Sequence, residues 1–190
     1  MTFKIITLLT AGLTAATMAQ AVEYNQIIVP QSALNFAYKQ MGVAMEGKFK
    51  KFSAQISFDP AKLANAVAHI DVDLASIDTG SIDADEEVAG KLWFNTKAYP
   101  TASFVSNGIK SLGGNQYLAT GRLSIKGKTL NVSTPITVQS DAKKSVFDGS
   151  FIISRTTYAI GEGEWRDLGT VADQIQIKFH LVVNASAAKI

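Results

Sequence analysis

The sequence predicts an all-β protein, an antiparallel barrel of about eight strands with one short helix near residues 83–92. Apolar and polar residues alternate in several separate stretches, and glycine, proline and aspartate mark turns between them. Only one segment breaks this pattern with a helical character. A β-sandwich is the structural alternative, because its strands are also apolar on one face.

The strands are identified by faces on which every second residue is apolar. The first face has Leu34, Phe36 and Tyr38, and the clearest is the last, at residues 175–183. Further faces lie at residues 66–74, 117–125, 130–138 and 147–153. Pro135 lies inside one of these strands and has no amide hydrogen for a ladder, which predicts a bulge or a sheet edge.

Turn signals separate the strands. They are Asp59-Pro60, Gly113-Gly114, Lys126-Gly127-Lys128 and Asp141-Ala142-Lys143. The helix predicted at residues 83–92 has acidic residues at its start and Lys91 near its end, which the helix dipole favours.

The first 21 residues predict a cleaved export signal. Lys4 provides the positive start, residues 5–16 the apolar run, and Ala19-Gln20-Ala21 the small-residue cleavage site. The apolar run is shorter than the roughly 20 residues that a spanning helix needs. We therefore expect cleavage after Ala21 and a periplasmic mature chain that forms one domain over residues 22–190.

Composition excludes several classes of function. The formal net charge is +2 and the basic residues are scattered, which argues against a nucleic-acid partner. The chain has no cysteine, which excludes disulfides, thiolate zinc sites, a cysteine nucleophile and a lipoprotein anchor.

Two clusters of side chains contain candidate metal ligands. His69, Asp71 and Asp73 share one strand face, and carboxylates at residues 83–87 could hold calcium. A solvated outer face and a favourable helix start explain these groups without an ion, so we predict no metal site. His180 lies on the polar face of the last strand, where we expect solvent exposure.

The sequence contains only weak matches to known catalytic motifs. Ser140 and Lys143 have the spacing of penicillin-binding enzymes but lie in a predicted hairpin turn, and no partner motif follows. No nucleophile elbow or phosphate-binding glycine loop occurs. The basic and aromatic residues 48–52 could dock on anionic lipid or form a charged strand end.

The large apolar residues remain as functional candidates. They either fill the core or line a tunnel that holds a ligand. Arg155, Trp165 and Arg166 are candidates for orienting a ligand head group at the barrel mouth. Residues 161–165 beside them predict either a mobile lid or an ordinary hairpin loop. The predicted ligand-binding residues are Phe36, Tyr38, Met45, Phe49, Trp93, Phe104, Tyr117, Phe151, Arg155, Trp165 and Phe179.

Several short motifs follow one another along the mature chain. They are Gly47-Lys48-Phe49, Phe58-Asp59-Pro60, residues 75–80, Trp93-Phe94, Tyr99-Pro100, residues 121–129, Ile153-Ser154-Arg155 and Ile160-Gly161. In this order, and behind an export signal, they resemble the YceI-like family of exported polyisoprenoid-binding proteins. Gln31-Ser32 stands where many members carry His-Ser, which suggests a subgroup.

The resemblance implies a lipocalin-like barrel whose interior holds a long amphiphile, such as a polyisoprenoid, an isoprenoid quinone or a fatty-acid derivative. It implies a carrier without catalysis and without a required cofactor. A homodimer, a membrane cytochrome b561 and the membrane surface are the candidate partners that it implies.

Two other functions stay open on the sequence. An exported barrel with a filled core would act through protein partners, as a stress or electron-transport accessory. A hydrolase or isomerase acting on lipids would need a polar cluster inside the barrel, whereas alternation places most acids and both histidines outside. The volume of the interior distinguishes the two hypotheses, because a carrier needs an open cavity and the alternative has a filled core.

Overall fold

A computed structural model describes residues 22–141 and 143–187. The predicted export signal lies outside the described residues, as do Ala142 and residues 188–190. The described chain has eleven strands and one α-helix, α1 (Ile82–Ala89). The strands are β1 (Val22–Ile27), β2 (Ala33–Gln40), β3 (Val43–Phe49), β4 (Phe52–Ser57), β5 (Val67–Asp73), β6 (Ile77–Asp78), β7 (Thr101–Gly113), β8 (Gln116–Ile125), β9 (Lys128–Ser140), β10 (Lys144–Ser154) and β11 (Gln174–Ala187).

Short 3-10 helices occupy several of the connections. They are Val29–Gln31, Leu63–Asn65, Leu74–Ser76, Thr156–Tyr158 and Gly163–Arg166. None of the helices in the described ranges has the length and apolar character that would let it cross a membrane.

The described strands form a single antiparallel sheet. Its order is β4-β5-β7-β8-β9-β10-β11-β2-β3-β6, and β1 pairs with β11 beside this path. Lys50 and Lys51 join β4, at one end of the path, to β3, which lies next to β6 at the other end. The sheet therefore curls round into a barrel-like shape.

The predicted number of eight strands is wrong. A corner at Lys50 and Lys51 divides one run of chain into β3, which pairs with β2, and β4, which pairs with β5. The strands β1 and β6 add to the predicted set, and β6 has only two residues. Their short pairings carry too few alternating residues to be seen as separate strands in the sequence.

The predicted alternation of faces is confirmed. In β8, Tyr117, Ala119, Leu123 and Ile125 are buried, whereas Arg122 between them is exposed. The apolar residues predicted to face inward in β5, β9, β10 and β11 are likewise buried or half-buried. The sheet thus has one apolar face, which curls inward.

Pro135 marks a change in strand pairing. The ladder between β9 and β10 ends at the pair Ile136 and Gly149, immediately beside this proline. On its other side β9 continues to pair with β8 through Leu118 and Pro135. β9 lies between β8 and β10 in the sheet, so the predicted sheet edge is wrong, and Pro135 marks the point where the ladder to β10 stops.

Helix α1 differs from the prediction at both ends. It begins at Ile82, where the Ser81 side chain accepts a hydrogen bond from the Ala84 amide at 3.5 Å. It ends three residues early because the backbone becomes extended at Gly90. Lys91 therefore lies outside the helix, and its predicted place in the last turn is wrong.

The buried apolar side chains form two clusters. One includes Phe58, Tyr117, Phe147 and Val183, and the rings of Tyr117 and Phe147 meet Phe58 edge-on at 5.2 and 5.3 Å. The other lies nearer α1 and includes Trp93. Such edge-to-face contacts add to the stability that burial of the rings provides.

Phe58 is 1% exposed, so its removal should leave a cavity in the first cluster. We expect Phe58→Ala to lower the free energy of unfolding by about 3–5 kcal/mol, measured by urea denaturation. Leu112→Ala, at a side chain that is 56% exposed, is the control and should change it by less than about 0.5 kcal/mol. Equal effects of the two changes would contradict this assignment of the core.

Candidate ligand-binding cavity

A cavity of about 510 Å³ extends through the interior of the curled sheet. Its wall includes Ile56 and Phe147 from the first apolar cluster and Leu74 and Leu123 from the second. This volume is typical of pockets that hold small ligands. Because the wall is mostly apolar, the interior suits a hydrocarbon chain better than a polar metabolite.

Three phenylalanine rings of the wall lie against glycines of neighbouring strands. The pairs are Phe36 with Gly47, Phe104 with Gly121, and Phe179 with Gly149. A Cβ atom on any of these glycines would collide with the ring. Each ring therefore occupies the space that a side chain would fill, and the centre of the barrel stays open.

The cavity opens to solvent between α1 and the turn that joins β2 to β3. Ser81 and Asp83 at the start of α1 line the cavity and are exposed, and Gln40 at the end of β2 lines it and is half-buried. Thr79 and Glu87 also lie in this part of the lining. The site thus combines an apolar interior with a polar mouth, which is the arrangement that an amphiphile requires.

The guanidinium of Arg155 is fully buried and bound by the backbone. It donates five hydrogen bonds of 2.7 to 3.2 Å to carbonyl oxygens, those of Ile160, Gly161, Trp165, Val171 and Ala172. A guanidinium has five N–H donors, so all of them are engaged. Arg155 borders the cavity but has no free donor for a head group, and the role expected for it at the mouth is replaced by a structural one.

The electrostatics of Arg155 follow from its burial. Desolvation lowers the pKa of its guanidinium, and the nearby Asp173 carboxylate opposes this shift. The five carbonyl dipoles supply the remaining stabilisation that a buried cation needs.

The loop at residues 161–165 covers part of the cavity beside α1. The Trp165 indole donates to Glu87 Oε1 at 2.8 Å, and its ring lies 5.3 Å from that of Trp93. The Leu92 carbonyl accepts hydrogen bonds from two amides of the loop, at 3.0 and 2.8 Å. The loop therefore lies in the position of a lid and is fastened to the helix, and the two interpretations of it, a mobile lid or an ordinary hairpin loop, stay predictions.

The turn between β8 and β9 provides a second attachment for the loop at residues 161–165. Lys126 and Gly127 both have positive φ, 48° and 75°, as a two-residue hairpin turn requires, so the predicted turn is confirmed. The Lys126 ammonium donates to the carbonyls of Lys91 and Ala159 and to Glu162 Oε2 at 2.9 Å. The hydrogen bond from Lys126 lowers the pKa of Glu162.

Few titratable side chains of the described residues line the cavity. Within residues 22–141 and 143–187 they are Tyr38, Asp83, Glu87 and Arg155. Burial raises the pKa of Tyr38, and the negative charge of Asp85 raises it further. The phenol of Tyr38 is therefore held neutral, so it can offer a hydrogen bond without bringing a charge into the cavity.

Most of the predicted ligand-binding residues line this one cavity. They are Phe36, Tyr38, Phe49, Trp93, Phe104, Phe151, Arg155, Trp165 and Phe179. Tyr117 lies instead in the packed first cluster, and Met45 is half-buried on a part of β3 that has no β6 partner. Neither belongs to the lining.

Several wall residues were missed by the sequence analysis. Leu34 and Ile177 share strand faces with predicted residues, so the alternation alone could have identified them. Val88 of α1 and Phe94 of the segment after it also line the cavity. Phe94 is one of the large apolar residues that could fill the core or line a tunnel, whereas no signal in the sequence indicated the contact of Val88.

The two histidines lie outside the cavity lining. His69 Nε2 is 3.2 Å from Asp71 Oδ1, and His180 Nδ1 is 2.7 Å from Asp148 Oδ1. The exposure predicted for His180 is confirmed. Within residues 22–141 and 143–187, no three histidine, aspartate or glutamate side chains are grouped so that they could hold a metal ion.

The polar residues of the other candidate motifs are also outside the lining, whereas Phe49 and Phe52 belong to it. Ser140 shares a hydrogen bond of 2.6 Å with Ser145 across the β9–β10 hairpin. Lys48 and Lys50 approach the Asp78 carboxylate at 3.7 and 3.8 Å, so part of the basic character of residues 48–52 is balanced. Such exposed ion pairs contribute little to stability.

The family model of the YceI-like domain matches residues 26–183, which is most of the sequence. This chain belongs to the YceI-like family. Its fold resembles the crystal structure of Burkholderia cenocepacia BcnA with a TM-score of 0.80 and 48% sequence identity, over 83% of this chain and 99% of that one.

More distant relatives share the family or the fold. A UPF0312 protein of Azotobacter vinelandii is 27% identical over 88% of this chain and 89% of its own. A UPF0312 protein of Photorhabdus laumondii is 34% identical over 64% of this chain, and the match spans 65% of that protein. A polyisoprenoid-binding domain from Saccharophagus degradans, implicated in plant cell wall breakdown, has the same fold at a TM-score of 0.64 and 18% identity, over 88% of this chain and 99% of that one.

The contact between Gly149 and Phe179 should control how open the cavity is. We expect Gly149→Ala to displace the Phe179 ring toward the cavity centre, reduce binding of a fluorescent apolar probe, and lower the unfolding free energy by about 1–3 kcal/mol. Gly108→Ala is the control, because its Cβ would meet only the Thr120 hydroxyl, at 3.2 Å. Undiminished probe binding in a folded Gly149→Ala protein would contradict this account of the wall.

Loss of the Arg155 guanidinium should release the loop that follows it. Arg155→Met leaves five carbonyls without their donor, so we expect the free energy of unfolding to fall by at least about 3 kcal/mol. Limited proteolysis should then cut within residues 161–171 of protein that is still folded. Arg166→Met, at an exposed arginine of the same loop, should leave the loop resistant. Equal resistance of the two variants would count against the structural role.

Proposed function

We propose that this protein is a periplasmic carrier that holds a long-chain amphiphile, such as a polyisoprenoid or an isoprenoid quinone, inside its barrel without transforming it. The observation that carries the proposal is the cavity of about 510 Å³, which is apolar within and polar at its mouth. An open interior favours a carrier over an exported barrel with a filled core. The polyisoprenoid-binding domain of Saccharophagus degradans, which shares the fold, supports the same class of ligand.

The physics of such binding needs few polar contacts. Removing one methylene from water is worth about 0.8 kcal/mol, so a prenyl tail of several units gains more than about 10 kcal/mol before the costs of immobilisation. Polar side chains near the mouth, such as Gln40 and Ser81, would only orient the head group. This explains why the sequence carries no recognisable polar motif for its ligand.

The absence of catalysis is part of the proposal. Both histidines bind carboxylates outside the lining, and Arg155, the buried cation at the cavity, is saturated by carbonyls. A hydrolase or isomerase would need a reactive polar group near the middle of the ligand, and the wall there is apolar. The protein would need no cofactor of its own, and a membrane cytochrome b561 or a second copy of the chain is a candidate partner for exchange.

Solvent extraction and mass spectrometry of the exported, purified protein test the proposal directly. We expect a stoichiometric prenyl lipid, quinone or other long-chain amphiphile in the extract. A clean extract that stays clean after incubation with isoprenoid lipids would refute the carrier function.

A pair of adjacent substitutions locates the ligand. Phe151 lines the cavity, whereas Ile152 beside it points away and is 60% exposed. We expect Phe151→Asp to reduce the extracted lipid by at least about tenfold, because a carboxylate must then be desolvated against the chain. Ile152→Asp carries the same charge on the outer face and should retain the lipid. Full retention by folded Phe151→Asp protein would exclude this cavity as the site.

A further inference from the structure

We propose that three exposed apolar side chains around the cavity mouth form a docking surface for a zwitterionic lipid bilayer, from which the ligand is loaded. This apolar rim consists of Met41, Ile82 and Leu168, which are 77%, 77% and 52% exposed. The inference rests on the proposed function, because it assigns the source and the route of the same ligand.

Folding does not explain why these residues are apolar. Met41 has a φ of 50° and forms, with Gly42, the two-residue turn between β2 and β3. Such turns favour asparagine, aspartate or glycine at this position, so a methionine is disfavoured there. Ile82 is the first residue of α1 and Leu168 lies in a loop, and neither belongs to the apolar clusters of the core.

The apolar rim is continuous with the mouth. Met41 follows Gln40, and Ile82 lies between Ser81 and Asp83; these three neighbours line the cavity. The loop that carries Leu168 is attached to the same turn, because the Met41 amide donates to the Thr170 carbonyl at 2.9 Å. Apolar side chains that surround the opening of an apolar cavity would enter a bilayer interface while the mouth faces the lipid.

The charges beside the apolar rim select the kind of bilayer. Its immediate neighbours in sequence are Gln40, Gly42, Ser81, Asp83, Asp167 and Gly169. These include two carboxylates, and two basic residues, Lys39 and Arg166, lie one position further along the chain. Lys48 and Lys50 approach Asp78, which precedes Thr79 of the lining, and the lining itself carries Asp83 and Glu87. Charges of both signs therefore lie around the mouth, and no net positive charge favours an anionic surface. The occupant is therefore a zwitterionic lipid surface.

Transfer kinetics distinguish docking from release into water. Protein loaded with a fluorescently labelled geranylgeraniol is mixed with phosphatidylcholine vesicles that contain a quencher. Docking predicts a transfer rate that rises in proportion to vesicle concentration, and no faster transfer to vesicles that contain phosphatidylglycerol. A rate independent of vesicle concentration means release into water and overturns the proposal.

Matched triple variants assign the effect to the apolar rim. Met41→Asn, Ile82→Gln and Leu168→Gln together should slow transfer by roughly tenfold, since three apolar contacts with the bilayer are lost. The control combines Val67→Thr, Leu112→Gln and Ile152→Gln, which change apolar side chains that are 55%, 56% and 60% exposed and do not line the cavity, and it should leave the rate unchanged. Equal rates for the two variants would overturn the assignment.

Two further measurements separate this proposal from the carrier function. Failure to bind the labelled prenyl alcohol at all would count against the carrier, not against docking. Binding of unloaded protein to a phosphatidylcholine surface, followed by surface plasmon resonance, tests the apolar rim alone and should weaken in the rim variant. Transfer that is accelerated only by vesicles containing bacterial membrane proteins would assign the apolar rim to a protein partner and overturn the lipid proposal.

Discussion

The close packing of phenylalanine rings on glycine backbone is the constraint on which the open interior depends. A barrel of this size is narrow enough for its own side chains to fill. Phe36, Phe104 and Phe179 would occupy much of that space if they pointed to the centre. Their rings instead lie over neighbouring glycines, so aromatic side chains cover the wall and still leave room for a guest.

An open interior lowers the stability of the folded protein, because atoms that line a void lose packing partners. The structure offsets it by concentrating tight packing at one end, where Phe58 and Val183 are almost completely buried. At the other end, Arg155 and Lys126 bind backbone carbonyls and hold the covering segments in place. Stability therefore comes from the two ends of the barrel, and the middle is left to the ligand.

The end near α1 combines fixed and open parts. The loop that contains Trp165 is fastened to Glu87, so one side of the opening is closed by the chain itself. On the other side, between α1 and the β2–β3 turn, exposed polar residues of the lining meet solvent. This asymmetry places the polar mouth at one side of the opening and the apolar depth of the cavity beneath it.

The sequence by itself determined the strand faces, the family motifs and most of the aromatic wall, because alternation records directly which side of a strand is buried. It did not determine the number of strands, since the corner at Lys50 and Lys51 changes the pairing without changing the alternation. Only the tertiary structure decided which residues line a cavity and which fill the core: Phe151 and Tyr117 have the same pattern in sequence and different surroundings in space. It likewise decided the role of Arg155, because five carbonyls from a later loop converge on one guanidinium only when the chain has folded.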